Sequence, residues 1–401
     1  MAQMQTKKLY FDDSYLTEFR ATVVQVTERN GCTAVVLDRT AFYPTSGGQM
    51  HDTGQLGQAM VTDVILENGQ ILHLVRGDLQ KGPIAGRIDW QRRFDFMQQH
   101  TAFHILAQSF LRLFGCETIS SHLGEALSTI DVQIQKIDWE MIKRVEQLAN
   151  SIIWQNRTVR AFLVDKKELD SLPVRKGEIN ENPVRLVEIH DFDLDPCGGT
   201  HVGNTAEVGL VKILAYEKIR DCLRFTFVAG QRAYKDYATK QTVLQELGSL
   251  FSTGQEEIVH SAQKALDLSK HYRKQVNKLQ ERLVEYEADK LIKDSALQNG
   301  IVVREYSEYD MGFIRRLAGL AIKKKNITLL LGCRSATESS IVFATSQDVD
   351  LRQVFSQVQD EFGGRGGGKP DFIQAGGGSG NLSLVLNNAR EVVVKQLEKM
   401  S

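Results

Sequence analysis

The sequence predicts a multidomain α+β fold, and three patterns along the 401-residue chain support that prediction. Short alternating runs rich in β-branched residues come first. An apolar stripe with coiled-coil spacing lies past the middle, and strand and helix patterns alternate around a glycine tract near the end. These patterns divide the chain into a β-barrel (1–88), an α+β core (89–237), a helical arm (238–298) and a C-terminal α/β glycine-rich domain (299–401).

The first part is predicted to be a small barrel because its apolar residues alternate with polar ones. This period of two is typical of strands that bury one face, and Asn and Gly breaks separate the runs. The predicted strands are 21–26, 34–37, 59–66 and 71–75.

The second part mixes helices and strands and carries the candidate chemistry. Apolar residues at helical spacing alternate along the chain with short β-branched runs. The predicted helices are 92–113 and 139–150, and the predicted strands are 185–189, 209–215 and 223–228.

Two pairs of residues, each spaced four apart, form a predicted zinc site in this second part. His100 and His104 lie in a stretch with helical spacing, so both imidazoles project from one helix face. Cys197 and His201 enclose a Gly-Gly-Thr segment after a proline, which predicts a tight turn. Three imidazoles and one thiolate form a donor set that Zn²⁺ prefers. We therefore expect one zinc ion per chain.

These residues also have other interpretations. A single His pair is more often an ordinary surface or core feature, so the prediction depends on both pairs occurring together. A metalloprotease helix needs glutamate directly after the first histidine, where this chain has Thr101. Four protein ligands also close a tetrahedron, which is typical of structural zinc. For catalysis we expect one loose ligand; five-coordination and an ion that only shapes the pocket are the alternatives.

The third part is predicted to be a coiled-coil-like helix of about forty residues, roughly 60 Å long. Its apolar stripe runs from Ile258 to Tyr286, and a capping-box pattern from Thr253 to Glu256 marks the expected start. The stripe fits a spacer arm or the seam of a homodimer. Packing against its own domain is the equal alternative.

The last part alternates strands and helices around a glycine tract at 363–368. Bare backbone amides beside Arg365 and Lys369 suit a phosphate-bearing partner. A flexible surface loop is the alternative. This domain offers a second route to a homodimer.

The composition limits where the protein works and what it binds. Five scattered cysteines give no disulfide framework, and no apolar run has the length of a signal peptide or membrane span. We therefore expect a cytoplasmic protein without membrane contact. The net charge of −1 gives no global basic field, so contact with RNA must depend on local patches.

Four motifs in order resemble the editing half of alanyl-tRNA synthetase and, still better, the freestanding long-form AlaX editing proteins. They are the segment from Thr40 to Gln49, the two-histidine helix, the segment from Cys197 to His201, and the terminal Gly-Gly-Gly-Lys-Pro-Asp-Phe-Ile-Gln-Ala-Gly-Gly. The resemblance covers nearly the whole chain. It implies a zinc-dependent hydrolase that cleaves serine or glycine from tRNA(Ala), without the synthetase's ATP chemistry. An alanine site rejects these two amino acids poorly, since one methyl group is worth only about 1–3 kcal/mol.

The resemblance also implies roles for individual residues. Thr40 matches a position that faces the pocket, and its hydroxyl is the expected partner of a serine hydroxyl; a structural side chain at a strand end is the alternative. Independently of the resemblance, the glycine-embedded cations Arg365 and Lys369 are the expected contacts with tRNA. A non-catalytic, zinc-containing tRNA-binding protein is the alternative function. The expected substrate-binding set is Thr40, Ser46, Gly47, Gly48, Gln49, Gly198, Gly199 and Thr200.

Overall fold

The computed structural model of the protein describes residues 6–29, 31–169, 172, 174, 182–334 and 338–399. Contacts within the chain divide it into two compact units, Met1–Leu247 and Gly248–Ser401. Both units contain helices and sheets, which confirms the predicted multidomain α+β class. Among the described residues, no helix combines the length and the apolar character needed to cross a membrane.

Six strands near the N-terminus pair in the closed order β2-β3-β7-β6-β5-β8, with β8 returning to β2. Alternate side chains of these strands fill the interior, as the period of two requires. β5 and β8 fall outside the predicted strands because glycine and proline dilute the alternation there. The elements are β1 (Lys7–Lys8), α1 (Leu9–Asp12), β2 (Glu18–Arg29), β3 (Cys32–Leu37), β4 (Arg39–Thr40), β5 (Gly54–Leu56), β6 (Ala59–Glu67), β7 (Gln70–Arg76) and β8 (Gly82–Ile88).

The rest of the first unit packs two small antiparallel sheets around a long helix. The sheets have the orders β14-β15-β10-β9 and β11-β12-β13. The elements are α2 (Trp90–Phe114), β9 (Thr118–Leu123), β10 (Ser128–Val132), α3 (Trp139–Trp154), β11 (Val159–Val164), β12 (Val184–Ile189), β13 (Asp193–Pro196), β14 (Val211–Ile219), β15 (Cys222–Ala229) and α4 (Gly230–Phe251).

Helix α2 is the central element of this unit. It begins after Asp89, whose side chain caps the first turn, and it ends at Gly115 in the left-handed conformation. Every residue from 96 to 102 is buried, so the helix is enclosed on all sides at this level. The buried amide of Gln99 bonds the backbone N–H and carbonyl of Ala229 at 2.9 and 3.0 Å. The helix is thereby fixed to the end of β15.

A buried ion pair fixes the start of α2 to the barrel. Arg93 and Asp52 are both inaccessible to solvent, and Nε of Arg93 lies 3.0 Å from Oδ1 of Asp52. Arg93 also donates to the carbonyls of Ser14 and Ala41, and Asp52 accepts from the backbone of Tyr43. Because these bonds satisfy both charged groups, the pair can exist in the interior.

The second unit is a five-stranded sheet with helices on both faces. Its order is β16-β17-β18-β20-β19, in which only β16 and β17 are parallel. Leu330 faces α7 and α8, whereas Leu329 and Leu331 face α6 and the end of α5. The elements are α5 (Ile258–Leu297), β16 (Ile301–Tyr306), α6 (Met311–Lys324), β17 (Thr328–Arg334), β18 (Ser339–Thr345), α7 (Leu351–Phe362), β19 (Arg365–Lys369), β20 (Phe372–Gly378) and α8 (Leu382–Glu398).

The long helix α5 differs from its prediction at the start. The predicted capping box is wrong, because residues Gln255–Glu257 form a 3₁₀ turn without a side-chain cap and α5 begins at Ile258. Its C-terminal part buries Val284 and Leu291 against α6. Most of the predicted stripe, including Tyr272 and Leu279, is exposed within this unit.

The glycine tract is a hairpin, neither a linker nor a loop. β19 pairs with β20 from Arg365 opposite Gly376 to Lys369 opposite Phe372. The sequence did not predict β19 and β20 because glycine has low strand propensity, and a glycine-rich segment lacks the alternation that marks a strand. A side chain at Gly366 would overlap Ala375 of the partner strand, so close pairing requires glycine there.

Candidate metal centre

The two predicted ligand pairs meet beside α2. One nitrogen each of His100, His104 and His201 and the sulfur of Cys197 all lie within 4.8 Å of one another. The sulfur is 3.4 Å from Nε2 of His100 and 3.3 Å from Nε2 of His201. The three histidines are buried, whereas Cys197 is partly exposed. Cys197 is therefore the least enclosed residue of the four.

Each imidazole has a hydrogen-bond partner at its Nδ1 atom. His100 donates to Oε1 of Gln49 at 2.8 Å, and His104 donates to Oδ2 of Asp193 at 3.0 Å. Nδ1 of His201 lies 3.3 Å from the hydroxyl of Thr101.

Metal-binding histidines are typically anchored in this way, with the second ring nitrogen left for the ion. The donor set and its supporting bonds therefore fit a zinc ion. The donors and their hydrogen-bond partners come from residues that lie far apart in the chain.

Electrostatics favour a thiolate at this centre. Burial alone would raise the pKa of the Cys197 thiol, but the neighbouring imidazoles, His100 foremost, hold it well below its usual value. The N–H of Gly199 also donates to the sulfur at 3.3 Å. A thiolate is the form of cysteine that binds metal.

His201 and His104 differ in how readily they give up a proton. Burial lowers the pKa of His201 to about 3, so this ring is neutral. Burial also opposes charge on His104, but Asp193 and Cys197 raise its pKa to about 10. An ion that binds here must displace the proton of His104, so binding releases protons.

The two glycines of the ligand turn have different surroundings. A side chain at Gly199 would overlap Cε1 and Nδ1 of His100, so that imidazole can occupy its place only beside a glycine. At Gly198 the nearest atom to an added Cβ is Cζ of Phe11, at 3.9 Å. Only Gly199 is therefore required by the geometry of the centre.

A tight turn from Ser46 to Gln49 contacts the same centre. The two end residues exchange backbone hydrogen bonds of 3.0 and 2.9 Å, and Gly47 and Gly48 have φ of 55° and 81°. An added Cβ at Gly48 would lie 2.6 Å from the carbonyl oxygen of Ser121, so the turn docks closely on β9. Ser46 and Gly47 are exposed at its tip.

Gln49 connects this turn to both ligand pairs. Besides bonding His100, its Oε1 accepts from the backbone of Thr200 at 3.2 Å, and its Nε2 donates to the Thr200 hydroxyl at 2.9 Å. Gln49 and Thr200 are both inaccessible to solvent. The sequence predicted substrate contacts for both, but their side-chain polar groups bond within the protein.

Thr40 is buried at the end of β4, and its hydroxyl has two partners. His73 donates from Nδ1 to the carbonyl of Val35 at 3.2 Å, so its Nε2 is an acceptor. Thr40 therefore donates to Nε2 of His73 at 2.8 Å, and it accepts from the N–H of Phe42 at 3.1 Å. One lone pair of the Thr40 oxygen remains for a further donor.

The sequence did not reveal the residues, distant along the chain, that hydrogen-bond the ligand residues. Asp193 was visible only as one acid among many. Arg185 was read as a strand residue, yet its Nη1 donates to the carbonyls of Cys197 and Gly199 at 2.7 and 3.1 Å. No local pattern reveals such contacts, because strand pairing creates them.

Arg365 and Lys369 belong to the second unit. Both are exposed, and their spacing of four on β19 places them on one face of this edge strand. The three glycines between them have no side chains, so this face presents backbone and two cations.

The fold and the centre define a protein related to the tRNA synthetases. Residues 4–92 match the model described as tRNA synthetases class II (A), and residues 184–225 match the Threonyl and Alanyl tRNA synthetase second additional domain. Residues 298–397 match the DHHA1 domain. The chain is 31% identical over 385 residues to the alanyl-tRNA editing protein AlaX-L of Pyrococcus horikoshii, over 92% of this chain and 94% of that protein. The chain belongs to this family of alanyl-tRNA editing proteins.

Complete ligases are also similar to this chain. It is 30% identical over 389 residues to the alanine–tRNA ligase of Sulfurisphaera tokodaii, a match that covers 92% of this chain and 42% of the ligase. The C-Ala domain structure of the Aquifex aeolicus alanyl-tRNA synthetase is 19% identical and covers 23% of this chain and 89% of that domain. Its TM-score of 0.22 is too low to bear on the fold.

Proposed function

We propose that the protein is a zinc-dependent aminoacyl-tRNA deacylase that removes serine or glycine from tRNA(Ala). The observation that carries the proposal is the cluster of His100, His104, His201 and Cys197 beside the turn at 46–49. Membership of the editing family supports the substrate class. Selective removal of these two amino acids is needed because an alanine site rejects them poorly.

The side chains of the centre would hold the ion and fix its donors. Zinc, when bound, supplies a Lewis acid that polarises an ester carbonyl or lowers the pKa of a water molecule. Gln49, Asp193 and Thr101 orient the three imidazoles, and the N–H of Gly199 stabilises the thiolate. Because Cys197 is the least enclosed of the four residues, we infer that the substrate approaches from its side.

We propose that the residues contacting the substrate lie on the turn at 46–49, on the ligand turn and in the barrel interior. Ser46, Gly47, Gly48 and the backbone of Gln49 would approach the terminal adenosine, and Gly198, Gly199 and Thr200 would line the opposite wall. Thr40 would accept a hydrogen bond from the hydroxyl of serine through its remaining lone pair.

The cations of β19 and the stripe of α5 belong to the same proposal. Arg365 and Lys369 would contact tRNA phosphates, since both are exposed on one strand face. The exposed apolar stripe of α5 would form the seam of a homodimer. We place the protein in the cytoplasm because free thiols are typical of a reducing compartment.

One assay tests the function directly. Seryl-, glycyl- and alanyl-tRNA(Ala) are incubated with zinc-loaded and zinc-stripped protein, and ester loss is followed. Rapid loss of seryl or glycyl ester, slow loss of alanyl ester, and dependence on zinc are expected. Full activity of the stripped protein would end the zinc part of the proposal, and equal loss of all three esters would end the editing part.

A second function is favoured by one observation. Four protein donors complete a tetrahedron, which is the pattern of structural zinc. A non-catalytic tRNA-binding protein would bind all three charged tRNAs and hydrolyse none of them. The same assay therefore separates the two functions.

A further inference from the structure

A basic cavity of about 470 Å³ lies beside the ligand turn, within the first unit. Three cations, Lys7, Lys8 and Arg185, line it together with one carboxylate, Asp12. Phe11 and Phe162 contribute aromatic rings. We call this cavity the Arg185 pocket.

Arg185 carries a buried charge whose anionic neighbour within the protein is the thiolate of Cys197. The residue is 8% exposed, and its Nη1 bonds only the carbonyls of Cys197 and Gly199. Its Nε is buried without a hydrogen-bond partner. Within the part of the chain that the structure describes, no carboxylate forms an ion pair with it. Because a buried charge is costly without partners, this guanidinium indicates an anionic ligand.

The other groups of the pocket suit an unpaired nucleotide. Two cations lie over the ring of Phe11, with Nζ of Lys8 and Cζ of Arg185 at 4.8 and 4.9 Å from its centroid. Lys7 is paired with Asp12 at 3.3 Å, which leaves Lys8 and Arg185 as the net positive charge. Cations beside aromatic rings are typical of sites that bind single-stranded nucleic acid through phosphate and base stacking.

The pocket adjoins the metal centre through the ligand turn. Arg185 bonds the carbonyls on either side of Gly198, and a Cβ at Gly198 would lie 3.9 Å from Phe11. An RNA 3′ end whose terminal nucleotide reaches Cys197 would therefore place its preceding nucleotides next to this pocket.

We propose that the Arg185 pocket binds the unpaired nucleotides that precede the terminal adenosine of tRNA. Arg185 and Lys8 contact their phosphodiesters, and Phe162 stacks on one of their bases. The inference rests on the proposed function, because it takes the aminoacylated end of tRNA as the substrate of the metal centre. It adds a site that holds this end independently of the amino acid.

The experiment compares Lys8→Glu and Phe162→Ala with the wild type and with Lys81→Glu, a control at an exposed lysine between β7 and β8. Binding is measured with intact tRNA(Ala) and with the same tRNA lacking its unpaired 3′ nucleotides. Hydrolysis is measured with seryl-tRNA(Ala) and with the 3′-seryl ester of adenosine, which has no phosphodiester. Zinc content is measured for every variant.

Both pocket variants are expected to bind intact tRNA about tenfold more weakly, because a stacked base or a phosphate contact is lost. Their binding of trimmed tRNA, their hydrolysis of seryl-adenosine and their zinc content should match those of the wild type. Equal weakening for intact and trimmed tRNA, or an effect no larger than that of Lys81→Glu, overturns the proposal. If the wild type hydrolyses no ester, the proposed function fails, but the two binding measurements still test the pocket.

Discussion

His100 donates from Nδ1 to Oε1 of Gln49 over 2.8 Å, although the two residues are 51 positions apart. This bond joins the glycine turn of the barrel to the helix that carries two of the metal donors. It also sets the tautomer of His100, since a proton on Nδ1 leaves Nε2 for an ion. The turn at 46–49 is therefore part of the metal centre.

Replacing Gln49 with leucine should weaken zinc binding about 10- to 100-fold, the usual effect of removing a group that orients a ligand. The variant loses the bonds to His100 and Thr200 but keeps a similar volume. Zinc affinity is measured by competition with a chelator. Gln55→Leu, at an exposed position of β5, is the matched control and should bind zinc like the wild type. Unchanged affinity of Gln49→Leu would show that the bond has no role in positioning His100.

The neighbouring glycines of the ligand turn provide a second test. Gly199→Ala should lose most zinc and most deacylase activity, because its methyl group would occupy the place of the His100 ring. Gly198→Ala should retain zinc, since the nearest atom to its methyl group is 3.9 Å away. Overpacking of this kind costs about 1–3 kcal/mol. Zinc content and urea unfolding of both variants check the prediction, and equal zinc content in the two would contradict it.

These two tests also show what the sequence could and could not predict. Helical spacing predicted that His100 and His104 share a face, and the glycines predicted the turn that returns His201 towards Cys197. The partners Gln49, Asp193 and Arg185 could not be predicted, because tertiary packing brings them to the centre.

The same limit applies to the strands. Alternation predicted β6 and β7, whereas the glycine-rich β19 has no alternation to detect. Its pairing with β20 depends on the absence of side chains, since Gly366 and Gly368 leave room for the partner strand. A rule based on apolar periodicity cannot register such a strand.

Thr40→Val should lower kcat/KM for seryl-tRNA(Ala) about tenfold more than for glycyl-tRNA(Ala), because only serine offers a hydroxyl to Thr40. One hydrogen bond of this kind is worth about 1–1.5 kcal/mol. Thr40→Ser keeps the hydroxyl and serves as the control, with the serine preference retained. Both esters are assayed side by side. An equal loss on the two would assign Thr40 a structural role, through its bonds to His73 and Phe42.

His73 should make the barrel less stable in acid. Burial lowers its pKa from 6.5 to about 4, so the folded protein keeps this ring neutral while the unfolded chain takes up a proton. Stability is therefore complete above pH 6.5, falls as the pH decreases, and reaches its full loss near pH 4. The shift corresponds to about 3 kcal/mol of unfolding free energy.

His73→Gln removes this titration, and its amide retains the capacity to bond Thr40 or Val35. Urea unfolding of both proteins is measured at pH 7 and pH 4.5. The wild type should lose about 2–3 kcal/mol more than the variant over this interval, because most of the window set by the two pKa values lies within it. Subtracting the variant's loss of unfolding free energy from that of the wild type cancels the contribution of every other titrating group that the two proteins share. If the wild type and the variant lose the same free energy, His73 takes up its proton without unfolding, and the neutral imidazole that accepts from Thr40 is not what stabilises this end of the barrel.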